Sequence, residues 1–285
     1  MTVTVGVGGG LGAIASPAVP ARPTVLVPTG STEQHGPHLP LGADSIIATA
    51  VARVVAERIG ASTGSTVLVA PTLEYGASGE HQSFAGTISL GHEALQFVLI
   101  ELVRSLSTWA GRVVFVNGHG GNVPSLVAAV TQLIAEGHSV SWVPCGAPGS
   151  DAHAGRAETS LLLLLEPHAV DVGRAEPGNT APLAELLPAM NHGGVASVSP
   201  NGVLGDPTGA SATEGEELFE QIVSGVHDRL MRGAPDARGL LALPPVAVPP
   251  SAVRADSRRP AAPARATASV GVESRGADDA AARPR

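Results

Sequence analysis

Glu33, Gln34 and His35 stand side by side, and Asp44 follows nine residues after His35. Two carboxylates and an imidazole therefore fall within twelve positions, directly behind a short apolar run from Thr24 to Pro28 that reads as a buried strand. The loop leaving such a strand is where open α/β sheets place their ligand sites. Mixed oxygen and nitrogen donors at that spot suit a divalent transition metal such as Zn, Mn or Fe.

Two later corners repeat the pattern. The apolar run Val113 to Val116 feeds into Asn117-Gly118-His119-Gly120-Gly121-Asn122, and a third cluster holds Asp151, His153 and Glu158. In a parallel sheet such corners share one edge, so residues remote in sequence can converge there. Glu33, His35, Asp44, His119 and Glu158 make five candidate ligands, three of them carboxylates. That number serves a two-metal site, where paired cations acidify a shared water and polarise a carbonyl together.

Each cluster also has a plainer reading. Asp44 stands where a helix N-cap carboxylate is favoured, and Glu158 where the helix dipole favours one. The glycines around His119 could cradle a phosphate on backbone amides, but neither the P-loop lysine nor its spacing is present. The three clusters together favour metal over each separate alternative. In the Gly76–Gly86 loop, His81 and Ser78 are candidate substrate contacts, while His38 reads as scaffolding. His92, His138, His168, His192 and His227 read as surface or capping histidines, and Cys145 as a structural thiol.

The elements that must position these residues follow from periodicity. A helix is predicted from Asp44 to Ile59, closed by Gly60, with Asp44 as its N-cap. Strands are predicted over Thr66–Ala70, Arg112–Val116 and Ser139–Pro144, and helices over about His92–Trp109, Val123–Glu136 and Thr213–Met231. This alternation predicts a three-layer α/β/α sandwich with a mainly parallel sheet. The Gly/Pro/Asn-rich stretch from Glu176 to Thr213 reads as a long functional or oligomer-contacting loop. Residues 1–22 read as a flexible or loosely docked arm, 23–243 as the catalytic domain, and 244–285 as a disordered Pro/Ala/Arg-rich tail.

Composition narrows the function. The formal charge of −8 argues against nucleic acid, and no apolar run reaches the length of a membrane span. All 17 cationic residues are Arg, which removes lysine Schiff-base chemistry. A single cysteine excludes an intramolecular disulfide and a thiolate zinc cluster. Without a basic n-region ahead of its apolar start, the chain reads as cytoplasmic.

The run from Gly30 to Leu41 (Gly-Ser-Thr-Glu-Gln-His-Gly-Pro-His-Leu-Pro-Leu), with Asp44, Glu80-His81, Val116 to Asn122, and His153-Ala-Gly155 with Glu158-Thr-Ser160, resembles the creatininase family of metal-dependent amidohydrolases. The likeness spans roughly Thr24 to His227. It implies a three-layer fold, commonly hexameric, and metal ligation by Glu33, His35, Asp44 and His119, with Asp44 as the bridge. Creatininase itself carries a ligand glutamate two residues after the glycine-flanked histidine; here that position is Gly121, and the resemblance moves the role to Glu158. The linking segments, such as Tyr75 to Thr87 and Ser199 to Pro207, resemble the branch that cleaves the radical-modified C-terminus of a precursor peptide. The implied reaction is amide hydrolysis with two divalent ions (Zn, Fe or Mn), His153 moving the proton and a crosslinked Val-Tyr-derived unit released. The alternative substrate is a small cyclic amide or formamide, and a metal-stabilised binding protein without turnover is the third reading.

Overall fold

The computed structural model describes residues 10–147 and 149–243; the tail expected over 244–285 and the first nine positions of the arm lie outside the described residues. Strands β1 (Thr24–Thr29), β2 (Val67–Val69), β3 (Arg112–Asn117) and β4 (Val140–Pro144) form one parallel sheet in the order β2-β1-β3-β4. The central pair runs from Thr24 opposite Arg112 to Thr29 opposite Asn117. Helices α1 (Ala43–Thr63), α2 (His92–Leu106), α3 (Val123–Ala135), α4 (Arg156–Leu165), α5 (Leu183–Gly193) and α6 (Ala212–Arg232) complete the main elements.

Alternation along each strand sorts the core into two layers. Leu26, Val114, Val116 and Val143 pack with α1, α4 and α6 on one face. Val25, Val27, Val113, Phe115, Val140 and Trp142 pack with α2 and α3 on the other. Phe115, Leu95, Leu99, Leu126 and Leu133 are fully buried in that second layer. Each such side chain contributes roughly 1.5–3 kcal/mol on leaving water. With so few aromatics, close approach compensates: α1 buries Ala43, Ala48, Ala50, Ala52 and Ala56 between the sheet and its neighbouring helices. Residues 10–22 add two short 3-10 turns, with Leu11, Ile14 and Val19 against the second layer.

The chain leaves β1 through α1 on one face to reach β2, then crosses by α2 on the other face to β3. The winding reverses between β1 and β3, so the C-terminal ends of those strands open a crevice. Glu33 and His35 follow β1, and His119 follows β3.

Three local expectations change. The first helix runs through Gly60 and stops at Gly64, whose φ of 70° makes the left-handed cap that Gly60 was expected to supply. Its N-cap is Gly42 with no side-chain cap, and Asp44 is the second helical residue, its carboxylate turned to His35 and His119. The stretch read as an unbroken loop contains α5. This helix buries only Leu186 and carries Pro188 in its interior, so it shows neither the apolar stripe nor the proline-free run by which a helix is recognised.

Candidate metal centre

Asp44 lies at the junction of the clusters. Its Oδ1 is 3.3 Å from His35 Nε2 and its Oδ2 3.5 Å from His119 Nδ1. Glu33 Oε1 lies 3.1 Å from His119 Nδ1, 3.4 Å from His81 Nε2 and 3.8 Å from His153 Nδ1. Glu158 Oε2 completes the group, 3.9 Å from His35 Nε2. The donor atoms fall into sets tight enough for one ion each: Glu33, Asp44 and His119; His35, Asp44 and Glu158; and Glu33, His35 and His153.

The ring orientations are fixed from behind. His35 Nδ1 donates to the Glu33 carbonyl at 3.0 Å, and His119 Nε2 donates to the Ala77 carbonyl at 3.2 Å. Each imidazole thereby turns its other nitrogen toward the carboxylates, the tautomer a metal ligand needs. Both carboxylate oxygens of Glu33 and Oδ2 of Asp44 are buried with no aligned hydrogen bond, although histidine nitrogens stand close. Buried carboxylate oxygens left open around a common point are costly unless a cation fills it. The residues present fit a divalent ion.

The electrostatics agree. Burial alone would lower His35 and His119, but the Asp44 and Glu33 carboxylates prevail and lift each to about 10. Burial would raise Glu33, yet His119, His81 and His35 hold it well below the usual carboxylate range. Burial lifts Glu158 to about 7, and burial with the neighbouring Glu33 charge raises Asp44. Burial lowers His81 to about 4 and holds His153 well below the ordinary histidine range. His153 is therefore neutral; its Nε2 donates to the Gln34 carbonyl at 2.8 Å, which leaves Nδ1 facing Glu33.

Asparagines and glycines hold the corners together. Asn122 donates to the Gly30 carbonyl (2.9 Å) and to Asn117 Oδ1 (3.2 Å), and accepts from the Ala77 amide (2.9 Å). A Cβ on Gly118 would lie 2.6 Å from the Asp44 carbonyl, so the first turn of α1 can reach the site only over a glycine. In the third corner Ala154 adopts φ 52° and its amide donates to Glu158 Oε2 at 2.6 Å.

The cluster opens on a cavity of about 410 Å³ whose walls include Glu33, Asp44, His119, His153, Glu158 and His81. Ser78 is set behind it, fully buried with its hydroxyl against Ser31. Asp151 caps α4 through the Arg156 and Ala157 amides. His38 hydrogen-bonds Thr159 at 2.9 Å as scaffolding, and Cys145 is buried, its thiol pushed up by burial and bonded to the Asn117 carbonyl. Sequence reasoning missed Glu80, His92 and the α5 residues Leu183, Leu187 and Met190, all on the cavity wall. A motif signal was present only for Glu80, beside His81.

A parallel α/β sandwich with a buried histidine and carboxylate cluster at its switch point defines a metal-dependent hydrolase. Residues 14–230 match the creatininase profile, described as creatinine amidohydrolase, and the chain belongs to the creatininase family. It is 57% identical over 219 residues to the mycofactocin precursor peptide peptidase of Mycolicibacterium smegmatis, covering 77% of this chain and 89% of that protein. Among solved structures, it resembles a mutant creatininase of Zn-Zn type at 30% identity and TM-score 0.59, covering 73% of this chain and 89% of that one. A manganese creatininase matches at 30% identity and TM-score 0.60, over 73% and 90% of the two chains. Among the described residues no helix is long and apolar enough to cross a membrane.

Proposed function

We propose that this protein is a mycofactocin precursor peptide peptidase that cleaves the modified C-terminus of its peptide and releases the crosslinked Val-Tyr-derived unit. The observation that carries the chemistry is Asp44, whose two oxygens face His35 and His119 in separate ligand sets. The substrate rests on the 57% identity to the Mycolicibacterium smegmatis peptidase.

On this reading Glu33, Asp44 and His119 hold one divalent ion, and His35, Asp44 and Glu158 the other, with zinc, manganese and iron all compatible with the donors. Such ions supply Lewis acidity, polarising a carbonyl and acidifying a water. The chain does the rest. Glu33 and Asp44 fix the negative charge, and the walls of the cavity restrict water. His153, oriented by the Gln34 carbonyl with Nδ1 toward Glu33, is placed to take the proton of the attacking water at Nδ1 and deliver it to the leaving amine. Glu158, at the edge of the same cluster beside His35, is the second catalytic residue of this reading, its carboxylate held ionised by the ion it would bind. By the family resemblance alone, the proposed peptidase is a cytoplasmic homo-oligomer, commonly a hexamer in this family.

The test is incubation of metal-loaded protein with the radical-modified precursor peptide, read by mass spectrometry. Release of a small C-terminal fragment is expected, abolished by chelator and by Asp44→Ala in a protein that keeps its fold. Intact peptide beside fully loaded protein would overturn the reading and favour a small cyclic amide or formamide.

A further inference from the structure

The cavity over the ligand cluster does not end at its own wall. Glu80, His92, Met190 and Asn191 also line a second compartment of about 560 Å³. Helix α5 runs beside both. Leu183 and Leu187 face the catalytic compartment, Met190 and Asn191 stand at the neck, and His192 to Gly194 line the outer space. Leu187 is four residues from both Leu183 and Asn191 and three from Met190, which places these four along one helical face.

The two compartments differ in chemistry. The inner one is lined by Leu183 and Leu187 of α5 as well as by the ligand cluster, apolar wall and charged wall around one space. Leu183 and Leu187 are 41% and 44% exposed, so apolar surface is left open beside that space. The outer compartment is lined by four glycines, Gly79, Gly91, Gly193 and Gly194, with Ser83 and Asn191 among its side chains. Walls of glycine present peptide groups directly, which suits hydrogen bonding to another main chain with little regard to its sequence. A small amide needs only the inner space. A polypeptide cut near its C-terminus needs room for the released end and a path for the longer part.

We infer that the two compartments form one peptide cleft: the inner holds the C-terminal unit against Leu183 and Leu187, and the outer holds the segment preceding the scissile bond. This rests on the peptidase reading. The apolar wall matches the Val-Tyr-derived unit, and the longer segment leaves through the glycine-lined space past Glu80 and His92.

Ser83 and His192 are exposed and line the outer compartment but not the inner one, so Ser83→Trp and His192→Trp can fill the outer compartment without disturbing the core. The measurement is kcat/KM on the full-length modified precursor and on a short peptide carrying only the residues around the scissile bond. Melting temperature and metal content establish that each variant is folded and loaded. Wild-type protein should prefer the full-length substrate by about tenfold, and either variant should remove that preference mainly through KM. Equal kcat/KM for the two peptides in wild-type protein, or a preference that survives both tryptophans, overturns the cleft while leaving the peptidase reading intact. Cleavage of neither peptide by loaded wild-type protein overturns both.

Discussion

Glu80 Oε1 stands 3.5 Å from His119 Nε2, while Glu33 Oε1 stands 3.1 Å from Nδ1 of the same ring. The imidazole is thus held between two carboxylates, one on the edge that faces Asp44 and one behind. A carboxylate behind a ligand histidine fixes its tautomer and raises its basicity, and losing one typically costs 10–100-fold in metal affinity. The Ala77 carbonyl also accepts from Nε2, at 3.2 Å, so the loss should fall at the low end. Glu80→Gln is expected to weaken metal binding about tenfold in a chelator competition. Wild-type affinity in the variant would show that the Ala77 carbonyl alone orients the ring.

Gly121 carries the second prediction. A Cβ there would lie 2.3 Å from His119 Nε2 and 2.5 Å from both the Ala77 carbonyl oxygen and Glu80 Oε1. Two of those atoms can shift only by disturbing a metal-facing ring or the backbone. Gly121→Ala should therefore cost about 1–3 kcal/mol through overpacking and lower metal content. Gly121→Glu, which restores the residue of creatininase, should fail for the same reason. Retention of full metal stoichiometry in Gly121→Ala, measured by elemental analysis, would refute this account.

The legible parts of the sequence were those written locally. Val113 to Val116 announces a buried strand by composition alone, and the histidines and carboxylates behind the strands announce ligands by type. The three-layer architecture followed from the alternation of such runs. What stayed hidden depends on tertiary position. Asp44 reads equally well as a cap or as a ligand until the approach of Gly118 brings its helix against His119. His92 begins a helix and looks like a capping residue, and only the packing of α5 across the crevice puts it on a cavity wall. Helix α5 escaped because it buries one side chain and spends its apolar residues on the cavity, so its pattern is that of a wall and not of a core.

Protonation gives the third prediction. In the metal-free protein His35 and His119 are lifted to about 10, so both are charged at neutral pH. A cation needs their bare nitrogens, so loading near neutral pH should expel about two protons, and metal affinity should rise with pH. The sign for stability follows from linkage. Both folded values lie above the roughly 6.5 of an unfolded histidine, so their contribution is complete below that pH and is lost as pH climbs toward about 10. Glu158, raised to about 7 from 4.5, acts in the same direction at lower pH, since ionising it in the folded state is penalised. Glu33 opposes them, but its depressed value confines its effect to acid below its ordinary 4.5. The melting temperature of chelator-treated protein should fall between about pH 6.5 and 10, and metal should flatten that slope. Calorimetric titration in buffers of different ionisation enthalpy counts the protons, and zero release would contradict the assigned ligands.

Asn122 ties together corners that the chain itself keeps far apart. Its amide bonds the Gly30 carbonyl behind β1 and the Asn117 side chain at the end of β3, and its oxygen accepts from Ala77 in the loop that carries His81. All of these contacts are buried, so truncation takes a partner from the Gly30 carbonyl, the Asn117 side-chain oxygen and the Ala77 amide. Asn122→Ala should destabilise by about 2–4 kcal/mol, a drop of about 5–15 °C in melting temperature for a domain of this size. The metal site should loosen as well, because Glu33 and His119 are carried by the corners that Asn122 joins. Asn122→Asp separates the two effects: it keeps the acceptor for Ala77 and removes the donors to Gly30 and Asn117. If corner geometry governs metal affinity, the aspartate variant should lose affinity even where its stability recovers in part. Should affinity instead track stability across both variants, Asn122 acts through global folding alone.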